Sequence, residues 1–578
     1  MLKCVKLHRR RVSSAAAFAP LRSRHDMRSS ARGVTRGRDP ALCSDAEELF
    51  RSAVSAVLPL GMVRRSLRVE GGDTLSAGGR RFPLRRNVTV VGFGKAALGM
   101  GRAAEELLGR HVVRGALSVP VGAQESLRQA GKTEMLLQPD TKLRVFEGAL
   151  NNLPDEGSLE AARYIQRLVE PLRPSDLLLI LISGGGSALL PAPVPPVSLQ
   201  EKQEVTRLLA TRGAAIGELN AVRRGLSLLK GGGLARLARP AQVVTLILSD
   251  VVGDPLEAIA SGPTVRNPTT PSDCLDVLGR YELLGRVAPS VLHHLSHLPS
   301  PRSDDDDDLS HVLNLVVGSS GLALEEACAH AARLGYEPLA LSRSVTGDVA
   351  DAAEFYSRLI AYACRRLRSR GGPTGGGDAE GAEDEVDEVE EVEEAERLKE
   401  AATRCGVGDL SMEALADTVA IAARRRGGRL CVACGGETTV SVRGDGRGGR
   451  NQELALRVAR RLGGLRQTQP IQSPLGPGAA PSDVGDAGDT VDATRGCSAV
   501  FLSAGTDGQD GPTPAAGALA WPSLVAEARA AGADVENALR RNDSFGFYSA
   551  LGEGLVVTGL TGTNVMDVQL VLVRPRQP

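Results

Sequence analysis

The sequence predicts an α/β fold of two domains with Rossmann-like, mostly parallel sheets. Three observations predict it. Apolar, strand-length runs recur, each entering a glycine-rich loop that carries a charged or hydroxyl side chain. Residues 90–91 lead into Gly92-Phe93-Gly94-Lys95, 177–182 into Ser183-Gly184-Gly185-Gly186-Ser187, and 243–248 into Ser249-Asp250. Residues 430–433 lead into Gly435-Gly436-Glu437-Thr438, and 500–503 into Gly505-Thr506-Asp507-Gly508. Strand and helix patterns alternate along most of the chain. Finally, 578 residues exceed what one ordinary core holds.

In chain order, residues 1–42 read as a disordered leader. It carries Arg9, Arg10, Arg11, Arg22, Arg24, Arg28, Arg32, Arg36 and Arg38, several serines, and only Asp26 and Asp39 as acids. That is the composition of a mitochondrial transit peptide, though a disordered leader on a cytoplasmic protein shares it. The first α/β domain spans 43–300 and opens near Ser44, where Ser44-Asp45-Ala46-Glu47 reads as a helix N-terminus. An acidic linker, 301–311, contains the run at 304–308. The second domain, 312–578, opens with a strand at 312–317, turns at Gly318-Ser319-Ser320 and continues as a helix through Arg333. Two stretches, about 370–396 (Gly-rich, then nearly all Glu, Asp and Val) and 463–495, read as disordered insertions. Neither buries enough apolar surface to offset its ordering entropy.

Composition excludes several classes. Lys+Arg and Asp+Glu are equal at 69 each, which argues against a basic nucleic-acid face. Aromatics are 3%, too few for base-stacking platforms. No apolar run approaches the roughly 20 residues of a membrane helix. Of nine cysteines, Cys431 and Cys434 form a C-x-x-C inside an apolar strand run, which reads as buried strand thiols.

The loops carry the chemistry. In a parallel sheet the carboxyl ends of the strands share one edge, and ligands bind in the crevice there. Glycines let backbone N–H groups approach an anion closely, and helix N-termini add positive potential. Lys95, beside Gly94 at a helix start, suits a phosphate or carboxylate. The spacing is wrong for G-x-G-x-x-G and no ribose-binding acid follows the next strand, so a nicotinamide site is disfavoured. Ser183, Gly184, Gly185, Gly186 and Ser187 form an anion cradle without the Walker pattern. Asn220 and Arg223 precede Lys230 by one helix; Arg223 and Lys230 are seven apart, so on one helix they share a face and either hold an anion or point to water. Asp250 and Asp507 follow strands and suit Mg²⁺ or acceptance of a hydroxyl proton. Asp510 reads better as a turn residue. Gly448-Gly449-Arg450-Asn451-Gln452-Glu453 opens a helix with an arginine in its first turn, unfavourable with the dipole unless an anion is present.

Together Gly92–Ala97, 181–187, 248–255 with Ala260-Ser261-Gly262-Pro263, 448–453, 505–512 and Thr561-Gly562-Thr563-Asn564 resemble the class II glycerate kinases, whose carboxyl-terminal half is the MOFRL domain. The resemblance runs from about 45 to 573, apart from the insertions, and is nearest the animal type. It implies two α/β domains with an interdomain active-site cleft, D-glycerate as substrate, and ATP with Mg²⁺. It further implies functional roles for Lys95 and Arg450; Asp250, ahead of Asp507, is the third catalytic candidate from its own strand-end position. Glu437, Asn451, Glu453, Asp507 and Asn564 join the substrate- and nucleotide-binding set. No nucleic-acid or membrane partner is expected, and the chain is expected to be a monomer or homodimer. Many microbial members have Gly-His-Pro before the Pro-Asp pair; here 147–155 has no histidine, so a catalytic histidine there is excluded. The alternative is a non-catalytic or oxidoreductase protein binding a small hydroxy acid.

Overall fold

The first sheet has six strands, all parallel. Their order is Leu143–Gly148, Val112–Pro120, Val88–Phe93, Leu177–Ile182, Gln242–Leu248 and Val312–Gly318. Numbered along the chain this is 3-2-1-4-5-6, the doubly wound order, which reverses between its first and fourth strands. Leu177–Ile182 is buried at every residue, as a strand covered by helices on both faces must be. We analysed a computed structural model, which describes residues 38–297, 308–369, 383–408, 410–464, 494 and 496–576.

The strand expected to open the second domain instead completes the first sheet, where Val312 pairs with Val243 and Leu315 with Leu246. Its apolar run covers an edge that Gln242–Leu248 would otherwise leave open. The chain then crosses at Ser319, which caps the helix Ser320–Arg333 through its side chain, and that helix packs on the second sheet.

The second sheet is a correction to the parallel expectation. Its order is Glu337–Val345, Leu430–Gly436, Asp567–Pro575, Cys497–Gly505, Gly517–Ala520 and Leu555–Val556, and only the first pair is parallel. The last strand enters centrally and antiparallel, so its first residue, Asp567, pairs with both Gly436 and Gly505 at the neighbours' carboxyl ends. Cys431 and Cys434 are buried in this sheet, their thiols pushed up by burial.

The folded start also differs. The first helix is Pro40–Ala56, capped by Asp39, whose carboxylate accepts from Leu42 N–H, with proline at its first position. Leu42, Ala46, Leu49, Phe50 and Ala53 line one face at helical spacing, and they pack on Ser320–Arg333 and the second sheet rather than on the first domain. Asp45 accepts from the Tyr336 hydroxyl at 2.6 Å, and Asp39 pairs with Arg574. The next helix, Pro59–Ser66, lies back on the first unit.

Residues 370–382 of the acidic insertion lie outside the described residues, but Glu383–Arg404 is a helix, not disorder. Its Leu398, Ala401 and Ala402 are buried, and Glu394 pairs with Arg358 and Arg404 with Glu354, tying it to the Val349–Ser369 helix. A few apolar residues at helical spacing order a segment whose overall charge suggests otherwise. The leader to residue 37, the linker at 301–307 and the insertion at 465–493 also lie outside the described residues. Among the described residues, no helix is long and apolar enough to cross a membrane.

Candidate active site

The glycine loops after the first and fourth strands of the first sheet meet at its order reversal. Lys95 N–H donates to the Gly184 carbonyl at 2.9 Å, Ala96 N–H to Ser183 Oγ at 3.0 Å, and Ser183 N–H to the Phe93 carbonyl at 3.2 Å. Gly94 has φ of 134°, and a Cβ there would overlap Ser183. Gly184 has no room either, because its Cα faces the Asp250 carboxylate. Burial pushes the Asp250 carboxyl up, opposed by the Lys95 ammonium. Lys95 itself points to solvent.

Backbone strain flanks this loop on both sides. Ala149, Asn151 and Asn152 have positive φ, and Asn152 Oδ1 sits against Gly185; Ala260 and Ser261 do the same beside Ser187. Such outliers persist where the surroundings over-determine them. The Pro154-Asp155 pair has a structural role: Asp155 caps the helix Glu156–Val169, accepting from Ser158 N–H at 2.8 Å.

From the second sheet come Glu437, Asp507, Asp567 and Arg450. The Arg450 guanidinium donates through Nε and Nη2 to Asp567 at 2.6 and 2.8 Å, while Nη1 lies 3.2 Å from Glu437. The anion that a first-turn arginine demands is thus supplied by the protein's own carboxylates. Despite burial, Asp567 and Glu437 hold Arg450 firmly charged. Asp567 is fully buried and carries no strand-end signature in the sequence, because it begins its strand.

The two sheets face one another electrostatically. Burial raises Glu437, with Arg450 opposing and Asp567 and Asp250 adding to the rise. Burial likewise raises Asp507, with the Gln509 N–H, Lys95 and Arg450 opposing and Asp567 adding. Lys95 follows the first strand of the first sheet, whereas Arg450 opens a helix of the second unit. Glu437 and Asp567 flank Arg450 directly, while the Asp250 carboxylate lies against Gly184.

A second group lies inside the first unit. The helix carrying Arg223 ends at Gly225, so Lys230 is not on its face as expected; it lies in the following turn, just before Gly231 and Gly232 at positive φ. Lys230 Nζ donates to the Ser187 carbonyl at 2.9 Å. Ser187 Oγ is 3.0 Å from Ser261 Oγ, which donates to Asn220 Oδ1 at 3.2 Å, and Asn220 Oδ1 also accepts from Arg223 at 3.4 Å. Lys202, not anticipated, joins them from the helix Leu199–Thr211 and donates to the Pro191 carbonyl at 2.7 Å.

Three expected site residues are occupied elsewhere. Asn451 is buried, accepting from Ser503 Oγ at 2.6 Å, and Glu453 is spent on Arg457 and Asn542. Asn564 accepts from Met566 N–H at 3.1 Å, shaping the turn into Asp567. Asp510 is more than a turn residue: it accepts from Asn451 and Gln452 N–H at 3.1 and 2.9 Å, capping the Arg450–Leu462 helix where Gly449 has no side chain to do so. Burial pushes the Asp510 carboxyl up to about 6. Among the described residues, no group of three or more His, Cys, Asp or Glu side chains is arranged to hold a metal ion.

Residues 45–296 match a domain of unknown function, DUF4147, and residues 430–567 match the MOFRL family. Human glycerate kinase is 49% identical over 93% of this chain and 94% of its own length. A D-glycerate 2-kinase of Thermotoga maritima is 30% identical over 91% of this chain and 97% of its own. The crystal structure of a Thermotoga maritima glycerate kinase superposes with a TM-score of 0.66 at 28% identity, covering 93% of this chain and all of that one.

Proposed function

This chain belongs to the glycerate kinase family, and from that premise we propose that it phosphorylates D-glycerate with ATP, 2-phosphoglycerate being the favoured product. The observation that carries the reading is the pairing of loops at the first sheet's order reversal, where Lys95 N–H meets Gly184 and Gly184 backs onto Asp250, with Arg450 held by Asp567 and Glu437 in the second unit. An interdomain rim of this kind suits phosphoryl transfer, where positioning and charge neutralisation supply most of the catalysis. The "2-kinase" name of the Thermotoga relative supports the choice of product.

In the proposed step, a glycerate hydroxyl oxygen attacks the γ-phosphorus as the bond to the β-phosphate oxygen breaks and ADP leaves. The hydroxyl proton passes to Asp250, whose raised carboxyl makes it a better-matched base than an ordinary aspartate. Lys95 and the Nη1 edge of Arg450 neutralise charge on the transferring group and on the glycerate carboxylate. Of the Ser183–Ser187 amides, those of Ser183 and Gly186 bond to Phe93 and Ser183, which leaves Gly184, Gly185 and Ser187 to meet phosphate.

Mg²⁺ fits the chemistry of the strand-end carboxylates Asp250 and Asp507, hard oxygen donors of the kind it takes. Magnesium commonly takes only one or two protein carboxylates beside substrate phosphates, so a protein-only triad is not required. Asp507 would hold it, Asp250 being kept for the proton, and when bound it would neutralise phosphate oxygens. The Arg- and Ser-rich leader supports delivery to mitochondria, which import of a fluorescent fusion would check.

The test is Lys95→Ala and Arg450→Ala in a coupled ADP-release assay with D-glycerate. Each should lower kcat by about a hundred- to thousandfold. Near-normal kcat in both variants removes the assigned roles, and the ³¹P spectrum of the product decides which hydroxyl is modified.

A further inference from the structure

We infer that the polyphosphate of ATP docks on a cationic basin formed by Lys202, Arg223 and Lys230, leaving the interdomain rim to glycerate. The assignment rests on the kinase reading above and goes beyond it by dividing the site between the two substrates.

The basin is a built feature. Lys202 and Lys230 are 6% and 3% exposed, and Arg223 is partly buried. Among the described residues, no carboxylate pairs with any of the three; the ammonium groups donate to the carbonyls of Pro191 and Ser187, and Arg223 to Asn220. Burying like charges together without a counter-ion is costly, and native proteins pair such groups or neutralise them. Lys202 shows the strain: burial first, then Lys230 and Arg223, push it well below its ordinary value. Burial and then Arg223 do the same to Lys230. An anion of several charges relieves all three, whereas a single carboxylate leaves an excess.

The placement fixes which substrate this is. Lys230 touches the Ser187 end of the glycine loop, whereas Lys95 and Asp250 sit at its Gly184 end. Beyond that end lies the rim, where Lys95 and the Nη1 edge of Arg450 suit the single carboxylate of glycerate. A polyphosphate on the basin reaches along Ser187–Ser183 and presents its terminal group at Lys95. A three-carbon acid is small enough for the rim alone. Ala260 and Ser261, held at φ of 50° and 63°, fix the hydroxyl of Ser261 against Ser187 and Asn220, so the basin wall is preformed.

Two measurements test the division. In the wild-type enzyme, inorganic tripolyphosphate should inhibit competitively against ATP and not against D-glycerate. In Lys230→Met and Arg223→Gln, the ATP KM should rise about tenfold or more with the glycerate KM within about twofold, matching loss of one charge-assisted contact. Titration of a non-hydrolysable ATP analogue without glycerate should show the same loss, so the basin is read even where turnover is absent. Competition of tripolyphosphate with glycerate, or a rise confined to the glycerate KM, overturns the assignment and places the acid in the basin. Failure of the wild type to release ADP with D-glycerate, while the analogue still binds through Lys230, sinks the kinase reading and leaves the basin standing.

Discussion

Arg450 meets Asp567 edge-on, giving Nε and Nη2 to the two oxygens of a carboxylate that no solvent reaches. The pair joins the first turn of one helix to the first residue of the central strand. It leaves only the Nη1 edge of the guanidinium facing the rim.

Asp567→Asn keeps the shape and removes the charge. A buried arginine without its partner typically destabilises by about 3–5 kcal/mol, less here because the Arg450 side chain is 31% exposed. The variant should unfold at lower urea, and kcat should fall with it as Arg450 swings toward Glu437. Unchanged kcat with lowered stability would show that the clamp holds the fold and not the site.

Gly449→Ala probes the same arginine through its helix. The new Cβ overlaps the Asp510 carboxylate that caps the Arg450–Leu462 helix. Overpacking of this kind costs about 1–3 kcal/mol. Urea unfolding should show that loss, and kcat should drop although no charged side chain has been touched. A variant with wild-type kcat rules out any need for this cap in aiming Arg450.

Gly184→Ala should displace Asp250, since a methyl group and the carboxylate cannot share that space. The fold, followed by far-UV circular dichroism, should survive. Turnover should match that of Asp250→Asn, about a hundredfold or more below wild type. Should Gly184→Ala keep full activity, Asp250 is not the proton acceptor.

Lys230 gives a pH signature. Burial, then Arg223, lower its ammonium from 10.5 to about 7, while the unfolded chain keeps the ordinary value. Between those values the unfolded state binds the extra proton, so stability should rise with pH across that window. The slope should approach about 1.4 kcal/mol per pH unit for one full proton. Lys202, lowered by burial, Lys230 and Arg223, adds in the same sense. Urea midpoints from pH 7 to 9.5 should climb more steeply in wild type than in Lys230→Met; parallel lines would mean Lys230 carries no such proton difference.

Much of this was legible in the chain. The runs that end in Lys95, Ser183 and Asp250 are strands of a parallel sheet, and their loops meet at its reversal point because parallel strands must end on one edge. Arg450 opens its helix where the glycines and dipole argument put it. Asp567 was out of reach for the converse reason: the second sheet is mostly antiparallel, so an edge residue can begin a strand. Lys202 sits mid-helix among charged neighbours, and nothing local marks it as buried; only tertiary packing does. Glu453 and Asn451 share a motif with Arg450, yet helical rotation turns them inward. Glu383–Arg404 was hidden by its charge, which outweighs a narrow apolar stripe in any composition-based reading.

The helix Pro40–Ala56 finds its seat on Ser320–Arg333 and on strands near the carboxyl end, all made after the first sheet's inner strands. During synthesis its apolar face must therefore wait, uncovered, while the whole six-stranded unit is threaded out behind it. A protease or chaperone meeting the nascent chain encounters that face first. Loss of Asp39 would remove both the helix cap and the ion pair to Arg574 in the last strand.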